Sequence, residues 1–402
     1  VQVDVDLGSL RFSEGGHILV KRALRKTGAG QAIRVAGTSS ELEIDLRAWC
    51  RDQGHTFKID SSSGKQRTHA LLVNGGAETN RWAGAQRAGG ADPRQGDAVV
   101  SQPPRRWGLA ARGAIVEAGT PEFDFLLVHK AEVWADDAAR LYAQAVAAQW
   151  DPASAIPWDT PFRLDDDLED AVVQIMTYLI ENETAALIVP SRFIAQLHPH
   201  FREVMQLLAI QAADEARHME VFTRRGLLKR DRLGFSTVGG QASLKTLIDE
   251  PDFAIASFLL STLGEGTFLS LLWFIEQYAP DPVTAAVAKL SAQDEARHVA
   301  FSVAHLTQHL NSDSSLRPHL AGAVRRRNDV LRQTAGLNAE VFDALVLIAA
   351  GSWEPADLRE GHRRVMQLTQ EMNEGRQKRL RRLGFTESDA TELSGLHTRN
   401  FM

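Results

Sequence analysis

Two copies of one pentapeptide, Asp-Glu-Ala-Arg-His, occupy residues 214–218 and 294–298. In each, a glutamate precedes a histidine by three positions: Glu215 with His218, and Glu295 with His298. Residues three apart on an α-helix project from one face, so carboxylate and imidazole can reach one metal ion together. A single pair is weak evidence, because solvated helix faces are rich in Glu and His. The doubling matters because a further glutamate, Glu183 or Glu265, lies about thirty residues before each copy in an apolar helical run. Four carboxylates and two imidazoles suit two divalent ions, with hard oxygen donors, borderline nitrogen donors and four negative charges against four positive ones. Without metal, six such groups in an apolar interior would be untenable.

The elements that must position these groups are long helices. Leu168, Val172, Ile175, Leu179, Glu183 and Ala186 step by three or four, which puts Glu183 on the apolar stripe. Glu181 falls on the more polar side with Gln174 and Tyr178; it stays open as the ligand of this first helix, with Glu183 favoured. Pro190 lies inside the pattern and predicts a kink rather than an end. A second helix runs from about Phe201 to Arg225, a third from Phe253 to Tyr278, and a fourth, after Ala279-Pro280-Asp281-Pro282, to about Leu310. The third is the most membrane-like stretch of the chain. A carboxylate at its midpoint, Glu265, would be costly in lipid, so it reads as a buried core helix.

In an antiparallel hairpin, residues equally far from the turn lie at one height. Glu183 and Glu215 are each sixteen residues from Pro199, and Glu265 and Glu295 each fifteen from Pro280. All four therefore stand about 22–24 Å along their helices from a proline turn. Two such hairpins joined by a long crossover make a ferritin-like four-helix bundle. Asp214 and Asp294 precede the ligand glutamates, and a metal-bound histidine usually gives its second N–H to a carboxylate. Asp294 is expected to support His218, and Asp214 His298, with Arg217 and Arg297 bracing the aspartates. Leu259, Leu263, Phe268, Met176 and Leu179 are candidates for lining a cavity. His198, His200, His305 and His309 read as ordinary polar residues.

The rest of the chain predicts an α+β multidomain protein. Residues 1–75 alternate strand and helix patterns (Val1–Leu7, His17–Leu24, Ala32–Val35, a helix capped by Ser39 or Ser40 to Asp52, Thr56–Ile59, Ala70–Val73), which gives a small βαβαββ sandwich. Residues 76–104 are Gly-, Ala-, Arg- and Pro-rich and read as a linker. Residues 105–402 form the helical domain, with flanking helices expected over Trp134–Trp150, Ala321–Thr334, Glu340–Leu347 and Ala356–Arg382. Basic clusters at Arg325, Arg326 and Arg327, and from Arg376 to Arg382, read as solvated helix faces. The net charge of −6 gives no general attraction to nucleic acid or an anionic membrane. A single cysteine, Cys50, excludes an internal disulfide and a Cys-rich zinc or iron–sulfur site within this chain. With no basic-then-apolar leader, a cytoplasmic protein is expected.

Through Glu183, Glu215/His218, Glu265 and Glu295/His298, residues 165–312 resemble the ferritin-like diiron-carboxylate superfamily. That superfamily includes acyl-carrier desaturases, multicomponent monooxygenases, ribonucleotide reductase small subunits and arylamine N-oxygenases. The resemblance implies O2 activation at two irons, with Mn/Fe or Mn as variants, and hydroxylation, N-oxygenation or desaturation of a small-molecule or carrier-bound substrate. It also implies an electron-donating reductase or ferredoxin partner, and it admits a homodimer. The alternative is a ferroxidase that binds iron without an organic substrate. Arylamine N-oxygenases carry a further His one turn before the last Glu, where this chain has Ser291. The first seventy-five residues resemble the TusA/SirA sulfur-carrier fold through Leu7–Ser13 and Leu46–His55. That family's Cys-Pro falls on Phe12-Ser13, so persulfide chemistry is expected to be lost, Cys50 to be core, and the domain to dock or present substrate.

Overall fold

The computed structural model describes residues 3–64, 66–76, 82–332 and 339–397. The ends of the expected Val1–Leu7 strand and Ala321–Thr334 helix lie outside these residues. The chain divides into two compact units, Val1–Ala88 with Gly113–Pro121, and Gly89–Arg112 with Glu122–Met402.

The first unit runs β1 (Val3–Asp6), α1 (Gly16–Leu24), β2 (Ala32–Gly37), α2 (Leu42–Gln53), β3 (Thr56–Ile59) and β4 (Thr68–Val73). Its sheet order is β1-β2-β4-β3, with β1 and β2 parallel and the other pairings antiparallel. The register sets Ile33 opposite Leu72 and Val35 opposite Ala70. All four face the helices, where Val20 and Leu24 of α1 and Leu42, Leu46 and Cys50 of α2 close the core. Neither Ser39 nor Ser40 caps α2; Glu41 occupies that position without a side-chain bond. Gly54 ends the helix in the left-handed region, at φ 74. A short ribbon pairs β5 (Gln86–Arg87) with β6 (Ile115–Val116).

The second unit contains α3 (Lys130–Val133), α4 (Ala138–Ala147), α5 (Asp166–Ile194), α6 (Arg202–Gly226), α7 (Val238–Ile248), α8 (Phe253–Ser257), a π-helical segment (Phe258–Glu265), α9 (Gly266–Tyr278), α10 (Pro282–Ser312), α11 (Leu316–Leu331), α12 (Ala339–Ala350), α13 (Pro355–Arg382) and α14 (Glu387–Leu396). Helices α5, α6, α8–π–α9 and α10 form the ferritin-like bundle. Pro190 lies within α5 without ending it. The first hairpin turns through the 3-10 segment Pro199–Phe201. The second turns at Asp281, whose side chain accepts the N–H groups of Val283 and Thr284, with Pro282 at the first helical position. Beside this turn Arg225 is buried and donates to Glu169, Asp281 and Thr284, which ties α5, α6 and α10 together at one end.

Several sequence expectations are corrected here. The crossover, read only as a long connection, contains α7 behind a Thr237 cap. The Trp134–Trp150 helix shortens to Ala138–Ala147: Trp134 is extended, with its buried indole donating to Asp136, and Trp150 lies beyond the helix end. Of the supposed linker, residues 89–104 pack into the helical unit. Ala98 and Val99 are buried, the Gly90 N–H donates to Ala98 O, and the Val100 N–H donates to His200 Nε2. Gly89, at φ +70, permits this approach, since a Cβ there would lie 2.3 Å from Ala98 O. His198, His200 and His305 are buried rather than solvated, with rings 5.2 Å from Phe125, 5.3 Å from Trp107 and 5.0 Å from Phe253 respectively. Aromatic packing accompanies burial at all three, and His198 and His200 also accept backbone N–H groups.

Candidate metal centre

Each bundle helix brings its carboxylate to one level. Glu183 comes from α5, Glu215 and His218 from α6, Glu265 from the last π-helical position, and Glu295 and His298 from α10. None of the six is more than 5% exposed. They form two overlapping sets whose donor atoms lie within 4.8 Å of one another: Glu183, Glu215, His218 and Glu295, and Glu215, Glu265, Glu295 and His298. Glu215 and Glu295 belong to both. Glu181 is half-buried and belongs to neither, so the geometry selects Glu183 on α5.

Both imidazoles turn Nδ1 inward. His218 Nδ1 is 3.1 Å from Glu215, 3.3 Å from Glu295 and 3.7 Å from Glu183. His298 Nδ1 is 3.0 Å from Glu215 and 3.3 Å from Glu295. The other ring nitrogens reach across the bundle, His218 Nε2 to Asp294 at 3.1 Å and His298 Nε2 to Asp214 at 3.2 Å. Arg217 spans both aspartates, at 2.5 Å from Asp214 and 2.8 Å from Asp294, while Arg297 pairs with Asp294. Two members of this layer escaped the sequence reading. Gln149 Nε2 donates to Asp214 and Trp150 Nε1 to Asp294, each at 2.8 Å. Both follow α4 in irregular chain, past the point where the helix expected to reach Trp150 ends.

The π-helical segment was also unforeseen, since an apolar run of this composition suits an α-helix equally well. A π-helical turn displaces the residues beyond it, and such turns recur at functional positions. Here outside groups occupy the polar atoms of the widened turn. Arg379 Nε donates to Thr262 O at 2.6 Å, and Ser302 on α10 bonds Ser257 and Thr262 through their hydroxyls at 2.9 and 2.8 Å. Gly266 makes room for the arginine, as a Cβ there would lie 2.4 Å from Arg379 Nε. Leu259, Leu263, Phe268, Met176 and Leu179 are all buried in the core around these helices.

Charge in the cluster is balanced by protons. Burial, reinforced by Glu295, pushes Glu265 up to about 8, and the same causes raise Glu215 well above the carboxylate range. Burial would raise Glu295 too, but His298 and His218 outweigh it and hold this acid at about 2. Burial would lower both imidazoles, yet both are raised well above their ordinary value. Hydrogen bonds to Asp294 and the glutamates raise His218, and the charges of Glu215 and Glu295 raise His298. Divalent ions take the place of such protons. Four buried acceptors, Glu183 Oε1, Glu215 Oε1, Glu265 Oε2 and Glu295 Oε1, have no hydrogen-bond partner, a cost of roughly 1–3 kcal/mol each that a cation would remove. Donor type, number and these orphaned oxygens all fit a metal pair.

A scan against protein-family models and a search of curated proteins returned no match. Among solved structures the chain is similar to R2-like ligand-binding oxidases. One, with an aerobically reconstituted metal cofactor after photoconversion, is 17% identical with a TM-score of 0.43, over 65% of this chain and 94% of that one. A point variant with an aerobically reconstituted Mn/Fe cofactor is 17% identical with a TM-score of 0.42, over 64% and 94%. Another variant, with a non-activated Mn/Mn cofactor, is 16% identical with a TM-score of 0.41, over 64% and 93%.

Proposed function

We propose that the helical unit is an O2-dependent dinuclear metal oxidase acting on an organic substrate. The observation that carries this reading is the pair of four-donor sets sharing Glu215 and Glu295 in a buried bundle core. Glu183 and His218 would hold one ion, Glu265 and His298 the other, with the shared carboxylates serving both. Iron suits these donors, and manganese in one or both positions suits them equally. Bound metal supplies the redox chemistry with O2 that carboxylates and imidazoles lack.

The chain's own residues do the rest. Asp214 and Asp294 fix the ring orientation of His298 and His218, so that Nδ1 faces inward before any ion arrives. Arg217, Gln149 and Trp150 hold those aspartates in turn. The buried apolar shell excludes bulk water and so protects a reactive centre from side reactions. In this reading the oxidation is a hydroxylation, N-oxygenation or desaturation, the electrons come from a reductase or ferredoxin, and the N-terminal unit docks or presents the substrate.

The test is anaerobic titration with Fe(II), metal counting, and then exposure to O2. Two irons per chain and O2 uptake limited by an added reductant support the oxidase. Many irons per chain with O2 uptake on Fe(II) alone would mark a ferroxidase. Failure to retain metal would overturn both readings.

A further inference from the structure

Of the four buried arginines among the described residues, two meet carboxylates: Arg225 meets Glu169 and Asp281, and Arg112 meets Glu203. Another group in the helical unit does not. Arg376 on α13 is 1% exposed, Arg327 on α11 is 7% exposed, and His397, just past α14, is 6% exposed. Arg379, one turn beyond Arg376, is half-buried. Arg327 and Arg376 belong to the basic clusters read above as solvated faces; burial corrects that reading for both.

The described contacts of these arginines are to hydroxyls and a carbonyl. Arg376 donates to Ser394 Oγ at 3.1 Å and Thr267 Oγ1 at 3.4 Å, Arg379 to Thr262 O, and Arg327 to Thr246 and Ser243, both at 2.7 Å. Arg376 Nη2, Arg379 Nη2 and His397 Nε2 are buried with no hydrogen-bond partner. Among the described residues no ion pair reaches any of the four. Contacts bring them to one place: Arg376 bonds Ser394 on α14, the helix that His397 follows, and Arg325, two residues before Arg327 on α11, pairs with Glu392 on the same helix. Burial, and then the charges of Arg327, Arg376 and Arg379, hold His397 well below the usual histidine range. Uncompensated cations are strongly disfavoured in an interior. Clustered buried N–H donors with no counter-charge among the described residues are the arrangement that an oxyanion completes.

We propose that Arg327, Arg376, Arg379 and His397 form a buried binding site for the anionic group of a ligand, a carboxylate or a phosphate. The site adjoins the segment that carries Glu265, because Arg379 packs against Gly266 and Arg376 bonds Thr267. In the proposed function this ligand is the substrate, held by its charge beside the metal centre. That assignment rests on the oxidase reading; the anion site itself does not.

The experiment is calorimetric titration of the full chain, both metal-loaded and chelator-treated, with sodium phosphate or sodium octanoate against chloride of equal ionic strength. At least one probe binds both preparations, and R376Q and R379Q each weaken it about tenfold or more. R325Q, at an exposed arginine paired with Glu392, leaves it unchanged. Response to phosphate alone assigns a phosphate ligand, and response to octanoate alone a carboxylate. R379Q carries the test if R376Q does not fold, and R379K restores most of the affinity. The proposal is overturned if neither probe binds beyond chloride, or if both glutamine variants bind as the parent does. Binding that survives chelation separates this outcome from any failure of the metal reading.

Discussion

The two units bury chemistry in opposite ways. In the N-terminal unit the helices and sheet close over Ile33, Val35, Leu42, Leu46, Ala70 and Leu72, and the single cysteine, Cys50, is sealed among them. Burial pushes its thiol up to about 12, so it behaves as a small apolar residue. Phe12 is buried too. The helical unit places four carboxylates, two imidazoles and two supporting aspartates at the centre of its bundle. A core of the first kind is complete when folded, whereas one of the second kind is finished only by ligands. The contrast teaches that burial alone does not mark a site; burial with unmet donors and acceptors does.

That contrast can be broken by substitution. The largest effect is expected at the shared carboxylates. Glu215→Ala or Glu295→Ala should abolish binding of both ions, while Glu265→Ala should leave one per chain with helicity largely intact; elemental analysis and circular dichroism read both. Two ions retained in Glu265→Ala would end the assignment. Arg225→Met strands Glu169 and Asp281 without their partner and should cost about 3–5 kcal/mol, seen as a lower denaturant midpoint. Asp294→Asn frees His218 Nε2 and should weaken metal binding about 10- to 100-fold with little change in the metal-free fold.

Acidity sharpens the comparison further. Glu265, His218 and His298 all have raised values in the folded chain, so the folded state binds their protons more tightly than the unfolded state does. Their contribution to metal-free stability is therefore lost as pH rises from the ordinary carboxylate range through about 8 and beyond. Metal affinity should move the other way, rising about tenfold per pH unit for each proton released. Thermal melts at pH 6 and pH 8, with and without Fe(II), would show opposite slopes; parallel slopes would refute proton–metal exchange. The smallest effect belongs to the N-terminal unit. Cys50→Ala should cost about 1 kcal/mol and leave metal content unchanged, and the native thiol should resist alkylation near neutral pH.

The clustering of the candidate ligands was legible because two independent regularities coincide on them. Helical spacing puts Glu215 beside His218 and Glu295 beside His298, and equal distances from Pro199 and Pro280 put all four glutamates at one level. The supporting aspartates were legible for the same reason, since they share those turns. Gln149 and Trp150 were not, because the helix expected to reach Trp150 ends at Ala147 and the direction of the side chains beyond it is set by packing. Nor was the widened turn before Glu265, where the deciding partners, Arg379 and Ser302, are remote in sequence.

The sequence by itself determined the order of the four bundle helices and the helix that carries each candidate ligand, because these follow from local periodicity and turn chemistry. Tertiary structure decided between Glu181 and Glu183, inserted α7 into the crossover, and turned Arg327 and Arg376 inward from what reads as a solvent face. The physical reason is that periodicity says which residues share a face, while only packing against other helices says what that face meets.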